Sequence, residues 1–272
     1  MRANLFILLL LLSGSCYAQA PVDALVNAEK SFAALAANTT TRGAFLYYLD
    51  SSSVVFNQGK ILNGYTRWSR DITENNSLLL WRPEFAVLSA SGDFGCTMGP
   101  SEYRPDRAVQ TTGHFGHFAS LWHRSKGGKW SVLCDIGVQH GDPAADDNRV
   151  VKKALQRAGS TLPDTAEAAV REKQLIEAIK AGRKDLLKEY SAPDAWILLA
   201  GRQPLRSREM DEFDETVSGR YLFEPAAGHW LSPAGDMLVS YGKTTANGKA
   251  ANYMWVWIAD RGKWQLMMMV MN

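Results

Sequence analysis

The sequence predicts an α+β protein built from two tandem units, each a set of helices followed by a curved antiparallel sheet. Three observations predict it. Residues Gly113 to His140 read as a hairpin. One arm is His117-Phe118-Ala119-Ser120-Leu121-Trp122-His123, the turn is Lys126-Gly127-Gly128-Lys129, and the other arm is Trp130-Ser131-Val132-Leu133-Cys134-Asp135-Ile136. Glycines in a short loop between β-branched and aromatic runs carry that signal, because glycine reaches positive φ without steric cost. Met254-Trp255-Val256-Trp257-Ile258, Asp260-Arg261-Gly262-Lys263 and Trp264-Gln265-Leu266-Met267-Met268-Met269-Val270 build the hairpin again. In both halves helix-spaced stretches come before the strands, the order of an α+β unit.

Taken in order, Val22 to Ala37 is a helix with Leu25, Ala28, Phe32, Leu35 and Ala36 on its stripe, and Thr41 to Leu49 is a second. Val54-Val55-Phe56 is a brief strand, Tyr65 to Glu74 a third helix, and Pro83 to Leu88 and Phe94 to Met98 are strands around the turn Ser91-Gly92-Asp93. The hairpin completes this half. Gly141-Asp142-Pro143 stops the last strand, and Val150 to Ala158 reads as a short linker helix. From Ala166 the order restarts: helices over Val170 to Ala181 and Asp185 to Tyr190, the strand Trp196-Ile197-Leu198-Leu199, and Ser207 to Thr216 in place of the third helix. Ser232-Pro233-Ala234-Gly235-Asp236 repeats Ser89-Ala90-Ser91-Gly92-Asp93, and Lys263-Trp264 repeats Lys129-Trp130. A separation that drifts by only a few residues is the mark of tandem duplication. The expected boundaries are a signal peptide over 1–18, a first domain over 21–140, a linker over 141–165 and a second domain over 166–272.

Composition narrows the class. A chain of 272 residues is comfortable for two domains, and 46% hydrophobic with 21% charged residues is globular. A net charge of +2 without basic clusters argues against nucleic acid. Arg2, the apolar run Leu5 to Leu12 and the small residues around Cys16-Tyr17-Ala18 form a secretory signal, with cleavage near Ala18. The run is too short to span a bilayer, so no transmembrane segment is expected and the location is periplasmic or secreted. Ser13 stands where a lipoprotein box has leucine, which argues against a lipid anchor on Cys16. An oxidising compartment permits a disulfide between Cys96 and Cys134. The arm between their strands, however, separates them by about 9.5 Å, beyond the roughly 7 Å a disulfide tolerates.

Ser91-Gly92-Asp93-Phe94-Gly95-Cys96-Thr97-Met98-Gly99-Pro100, followed by Gly116-His117-Phe118, Leu121-Trp122, Gly128-Lys129-Trp130 and Asp135-Ile136-Gly137, resembles the SnoaL-like domains of the nuclear transport factor 2-like superfamily. The resemblance covers about residues 22–140. In a degenerate second domain Gly235-Asp236 and Gly262-Lys263-Trp264 carry it. It implies a cone-shaped, cystatin-like fold, in which a bent sheet wraps three helices around a pocket. That superfamily holds ketosteroid isomerases, polyketide cyclases, dehydratases and many domains without catalysis, so the fold alone does not decide function.

Alternation along the hairpin puts Phe118, Ser120, Trp122, Leu133, Asp135 and Gln139 on one face and Ala119, Leu121, Val132, Cys134 and Ile136 on the other. The mixed face reads as a pocket lining, with His117 at its rim and Tyr47, Trp68 and Tyr103 approaching it. Asp135 is the candidate general base, since a carboxylate among Phe118, Trp122 and Leu133 is desolvated and its pKa raised. The plainer reading makes it a structural acceptor for Ser120. His114 and His117 are three apart and fall on opposite faces of a strand, so no metal is expected, and no cofactor pattern occurs.

In the second hairpin the same alignment sets Met269 for Asp135, Met254 for Ser120 and Val256 for Trp122, and both faces are apolar. Such sheets need cover on both sides, so the halves are expected to pack sheet to sheet as a pseudo-dimer within one chain. Alternatively, the methionines line a flexible apolar site. The leading functional expectation is an exported module that binds a small, largely apolar molecule in the first domain. The alternatives are an isomerase, cyclase or dehydratase using Asp135, and a non-catalytic interaction scaffold.

Overall fold

A computed structural model describes residues 14–70, 76–108, 113–143, 148–156, 163–206, 213, 217 and 220–272, the side chains of 14–20 apart. The first half opens with α1 (Gly14–Asn38), whose Leu25, Phe32 and Ala36 are buried because residues three and four apart share a helix face. α2 (Thr41–Tyr48) starts at Thr40, whose Oγ1 accepts the Gly43 N–H at 3.0 Å. β1 (Leu49–Asn57), β2 (Lys60–Asn63) and α3 (Gly64–Arg70) follow. Then come β3 (Leu78–Trp81), β4 (Phe85–Leu88), β5 (Phe94–Arg104), β6 (His114–Arg124), β7 (Trp130–His140) and β8 (Val151–Ala154). The strand order is β2-β1-β7-β6-β5-β4-β8, with β3 also on β5.

Two expectations are corrected here. The sheet is mixed rather than purely antiparallel, because β1 runs parallel to β7 and β8 parallel to β4. Where a linker helix is expected over Val150 to Ala158, residues 151–154 form strand β8, and 157 and 158 lie outside the described residues. The edge of β4 offers acceptors: Glu84 O takes the Val151 N–H at 2.9 Å and Leu88 O takes the Leu155 N–H at 2.8 Å. Lys152 then reaches Asp23 on α1 at 2.6 Å. Tertiary pairing overrides a weak helical pattern.

The second half repeats the plan with α4 (Thr165–Lys180), α5 (Leu186–Tyr190), β9 (Ser191–Leu199), β10 (Leu205–Arg206), β11 (Tyr221–Phe223), β12 (Gly228–Leu231), β13 (Met237–Ala246), β14 (Lys249–Asp260) and β15 (Lys263–Met271). Asp164 caps α4 by accepting the Ala166 N–H at 2.9 Å, and Gly182 ends it at φ 65°. The order β10-β9-β15-β14-β13-β11, with β12 on β13, matches the first sheet strand for strand, except that no strand among the described residues corresponds to β8. The helix expected over Ser207 to Thr216 lies outside the described residues apart from Phe213, which is buried.

The two curved sheets pack face to face. Cys96, Leu121, Cys134 and Ile136 of the first share one core with Met254, Val256, Met268 and Val270 of the second. Cys96 and Cys134 are free thiols whose strands flank β6. The repeated Ser-x-x-Gly-Asp turns meet at this junction, where buried Asp236 accepts Ser89 Oγ at 2.5 Å, the Ala90 N–H at 2.8 Å and Ser232 Oγ at 2.7 Å.

Each hairpin carries one β-bulge. Leu121 pairs with Cys134 but Trp122 with Val132, which leaves Leu133 extra. Val256 pairs with Met268 but Trp257 with Leu266, which leaves Met267 extra. An inserted residue moves its neighbours to the other face. Leu133 therefore joins the core between the sheets, and Val132 joins Trp122 on the helix side, the reverse of the plain alternation. No described helix is long and apolar enough to cross a membrane.

Candidate functional site

Glu29 sits on the same stripe of α1 as Leu25 and Phe32 and is fully buried. A lone buried carboxylate is costly, and three side chains compensate it. Trp81 Nε1 of β3 donates to Oε1 at 2.6 Å, while Thr97 Oγ1 of β5 and Trp122 Nε1 of β6 donate to Oε2 at 2.6 and 2.9 Å. Burial outweighs those donors and, with some help from the Asp135 charge, pushes the Glu29 carboxyl up to about 7.

Asp135 stands opposite Ser120 across the β6–β7 ladder and accepts its Oγ at 2.8 Å. Burial raises it to about 6, against the pull of that hydrogen bond. Its side chain lines a cavity of about 200 Å³ walled by Phe32, Phe45, Trp81, Phe118 and Tyr103, with Gln139 and His114 on the same lining. An aromatic chamber with a few polar groups is the form of a small-molecule site. Asp135, held near neutral pH, adds the capacity to give and take a proton there, and the buried Glu29 lies outside the lining.

The expected site residues divide into three groups. Asp135, Phe118, Tyr103 and Gln139 line the cavity. Ser120 and Trp122 lie behind the lining, holding Asp135 and Glu29. The others are elsewhere. Leu133 is turned away by the bulge. His117 faces the opposite side of β6, where its Nδ1 lies 2.8 Å from His140 Nε2; burial first, then the His140 charge, lower it to about 3. Tyr47 is exposed, with the Lys129 ammonium 4.9 Å over its ring, and Trp68 stacks on Phe45 at 4.3 Å. Phe32, Phe45 and Trp81 come from elements distant in sequence. Glu29 had a signal: a charged residue in an apolar helix stripe that recurs as Glu172, between Ala168 and Leu175.

The second half repeats the buried carboxyl. Glu172 Oε2 accepts Trp257 Nε1 at 3.1 Å and also the Ser240 hydroxyl, and burial raises its pKa. The register sets Trp257 for Trp122 and Trp255 for Ser120, each one residue from the equivalence read on the sequence alone, and Tyr253 for Phe118. Met269 does stand for Asp135. Thus Trp255, Trp257 and Met269 face the helices, whereas Met254, Val256 and Met268 face the first sheet. No described methionine lines the groove of about 820 Å³ beside α4, but Glu172 does, so the titratable group missing from the second sheet is supplied by a helix.

No family model matches the sequence, and no curated protein matches it either. Among solved structures, an NTF2-like protein of unknown function from Shewanella oneidensis matches at 15% identity with a TM-score of 0.36, over 43% of this chain and 98% of its own. The association domain of Caenorhabditis elegans CaMKII matches at 12% with a TM-score of 0.36, over 44% and 97%. A de novo designed protein with a curved β-sheet matches at 22% with a TM-score of 0.33, over 39% and 99%. The chain is similar to NTF2-like proteins. The fold itself is carried by the strand order and register described above.

Proposed function

We propose that the protein is an exported module that holds a small, largely apolar molecule in the first-half cavity, with Asp135 contacting the ligand's polar end. The observation that carries this reading is the placement of a raised, half-buried carboxyl in an aromatic chamber of about 200 Å³. That volume lies below the roughly 300–1,000 Å³ of drug-sized sites, so the ligand is small. The leader over 1–18 directs export in this reading, and the second half takes the place of a partner subunit by covering the outer face of the first sheet. A catalytic reading rests on Glu29: a second carboxyl coupled to Asp135 suits proton shuttling in an isomerase, cyclase or dehydratase.

Native mass spectrometry of protein purified from its own source tests the binding reading through a retained mass. Asp135→Asn keeps the shape and removes the charge. Retention should fall while the melting temperature moves by no more than about 1 kcal/mol equivalent, the worth of the Ser120 hydrogen bond. Undiminished retention in the variant rules Asp135 out of the site.

A further inference from the structure

We propose that the groove between α4 and strands β12–β13 is a second binding site, for a molecule with an apolar body and a hydrogen-bond donor, an amine or a hydroxyl, that bonds Glu172 Oε1. This stands apart from the first-half reading, because the two cavities are not equivalent. The positions matching the first-half cavity are filled in the second half by Tyr253, Met269 and Met271, all fully buried.

Three replacements open the groove. In the first half Trp81 Nε1 caps Glu29 Oε1 at 2.6 Å. By register Phe223 occupies that place, pairing with Thr244 as Trp81 pairs with Ser101, and a phenyl ring has no proton to donate. In the first half Val22 and Val26 seal α1 against Ala86 and Leu88. Counting along the helices from Glu29 and Glu172, their counterparts are Thr165, which has a hydroxyl in place of a methyl, and Ala169, which lacks both γ-methyl groups, and both line the groove. Beyond β4 lies β8; beyond β12 no strand is paired among the described residues.

What remains is a space of about 820 Å³, within the range of ligand sites, with Ile176, Phe223, Leu231 and Leu238 as its apolar walls and Glu172 and Ser240 in its lining. Both hydrogen bonds to Glu172 go to Oε2, and Oε1 has no partner among the described residues. The ligand donor supplies what the Trp81 indole supplies in the other half. Glu177 and Glu224 against Lys173 leave the rim with an excess of carboxylates, with His229 beside them, so a carboxylate headgroup is disfavoured.

Decylamine, decanol and decanoate, titrated into the full chain by calorimetry and followed by methyl NMR, test this. Decylamine and decanol should bind and shift the Ile176 and Leu231 methyls, and decanoate should bind about ten-fold more weakly or less. Phe223→Trp should supply the missing donor and cost about ten-fold in affinity for both donors, with an unchanged or raised melting temperature. Equal binding of decanoate, or shifts at Leu79 and Val138 in place of Ile176 and Leu231, would overturn the proposal. If Phe223→Trp fails to fold, the methyl shifts of the unsubstituted chain decide alone.

Discussion

Glu29 and Glu172 occupy the same slot of two repeated units, and their surroundings diverge around it. Glu29 has three donors, is sealed from bulk water and lies near a second carboxyl, Asp135, that lines a small aromatic cavity. Glu172 keeps two of those donors, loses the third with Phe223, and opens onto a groove about four times larger. The shared part, a carboxyl held by a hydroxyl and an indole, ties the first helix to the sheet in both units. The parts that differ set what each cavity can hold. A scaffold with a buried acid at a constant position acquires different chemistry by changing only the residues that cap it and the ones that fill the space beside it.

The junction separates the halves most strongly. Asp236 binds Ser89 and Ala90 across the interface, whereas its counterpart Asp93 has a buried Oδ1 with no hydrogen bond among the described residues. Asp236→Ala should cost about 3–5 kcal/mol, because it leaves the Ser89, Ser232 and Ala90 donors without their acceptor, and Asp93→Ala under about 1 kcal/mol. Urea unfolding of both variants checks this, and equal losses would mean that the turns share the junction symmetrically.

Exchanging Asp135 and Met269 probes the cavity floor. Met269→Asp buries a carboxyl in a fully buried apolar position and should cost about 2–4 kcal/mol. Asp135→Met removes a desolvated acid and should be close to neutral in thermal melts while abolishing ligand retention. A stable Met269→Asp protein would show that the second sheet tolerates the first sheet's chemistry.

The smallest effect is a pH dependence. Glu29 rises from 4.5 to about 7 on folding, so its contribution is fully present below pH 4.5 and is lost as pH rises through 7. Asp135 acts in the same direction up to about 6, while His117, lowered to about 3, loses stability as pH falls below 6.5. Subtracting Glu29→Gln isolates the first term. The stability difference, wild type minus variant, should fall by about 3 kcal/mol at most between pH 4.5 and 7.5. A difference that stays flat would mean that Glu29 is already ionised at the lower pH.

Hairpins, turns and the repeat were legible because each is written in near neighbours: Gly127-Gly128 and Gly262 at the turns, alternation along the arms, Gly92-Asp93 echoed by Gly235-Asp236. Asp135 was legible for the same reason, as a carboxyl in an apolar strand. Glu29 was written in the sequence too, but only as a break in a helix stripe that gains meaning once Glu172 is set beside it. His117 misled, because as the neighbour of Phe118 on β6 it faces the other side of the sheet, where it meets His140.

The sequence alone therefore determined the two units, their helices-then-strands order, the free thiols on non-adjacent strands and the need of both sheets for cover on two faces, all consequences of local periodicity and composition. The tertiary structure decided the rest. Leu133 and Met267 each add one residue to a ladder, and an extra residue breaks the alternation along its own strand, so Leu133 and Met267 turn to the core between the sheets while Val132 and Leu266 stay on the helix side. The same holds for β8, which is a strand because β4 leaves an edge to pair. The cavities likewise owe their acids to a helix and a strand that only folding brings together.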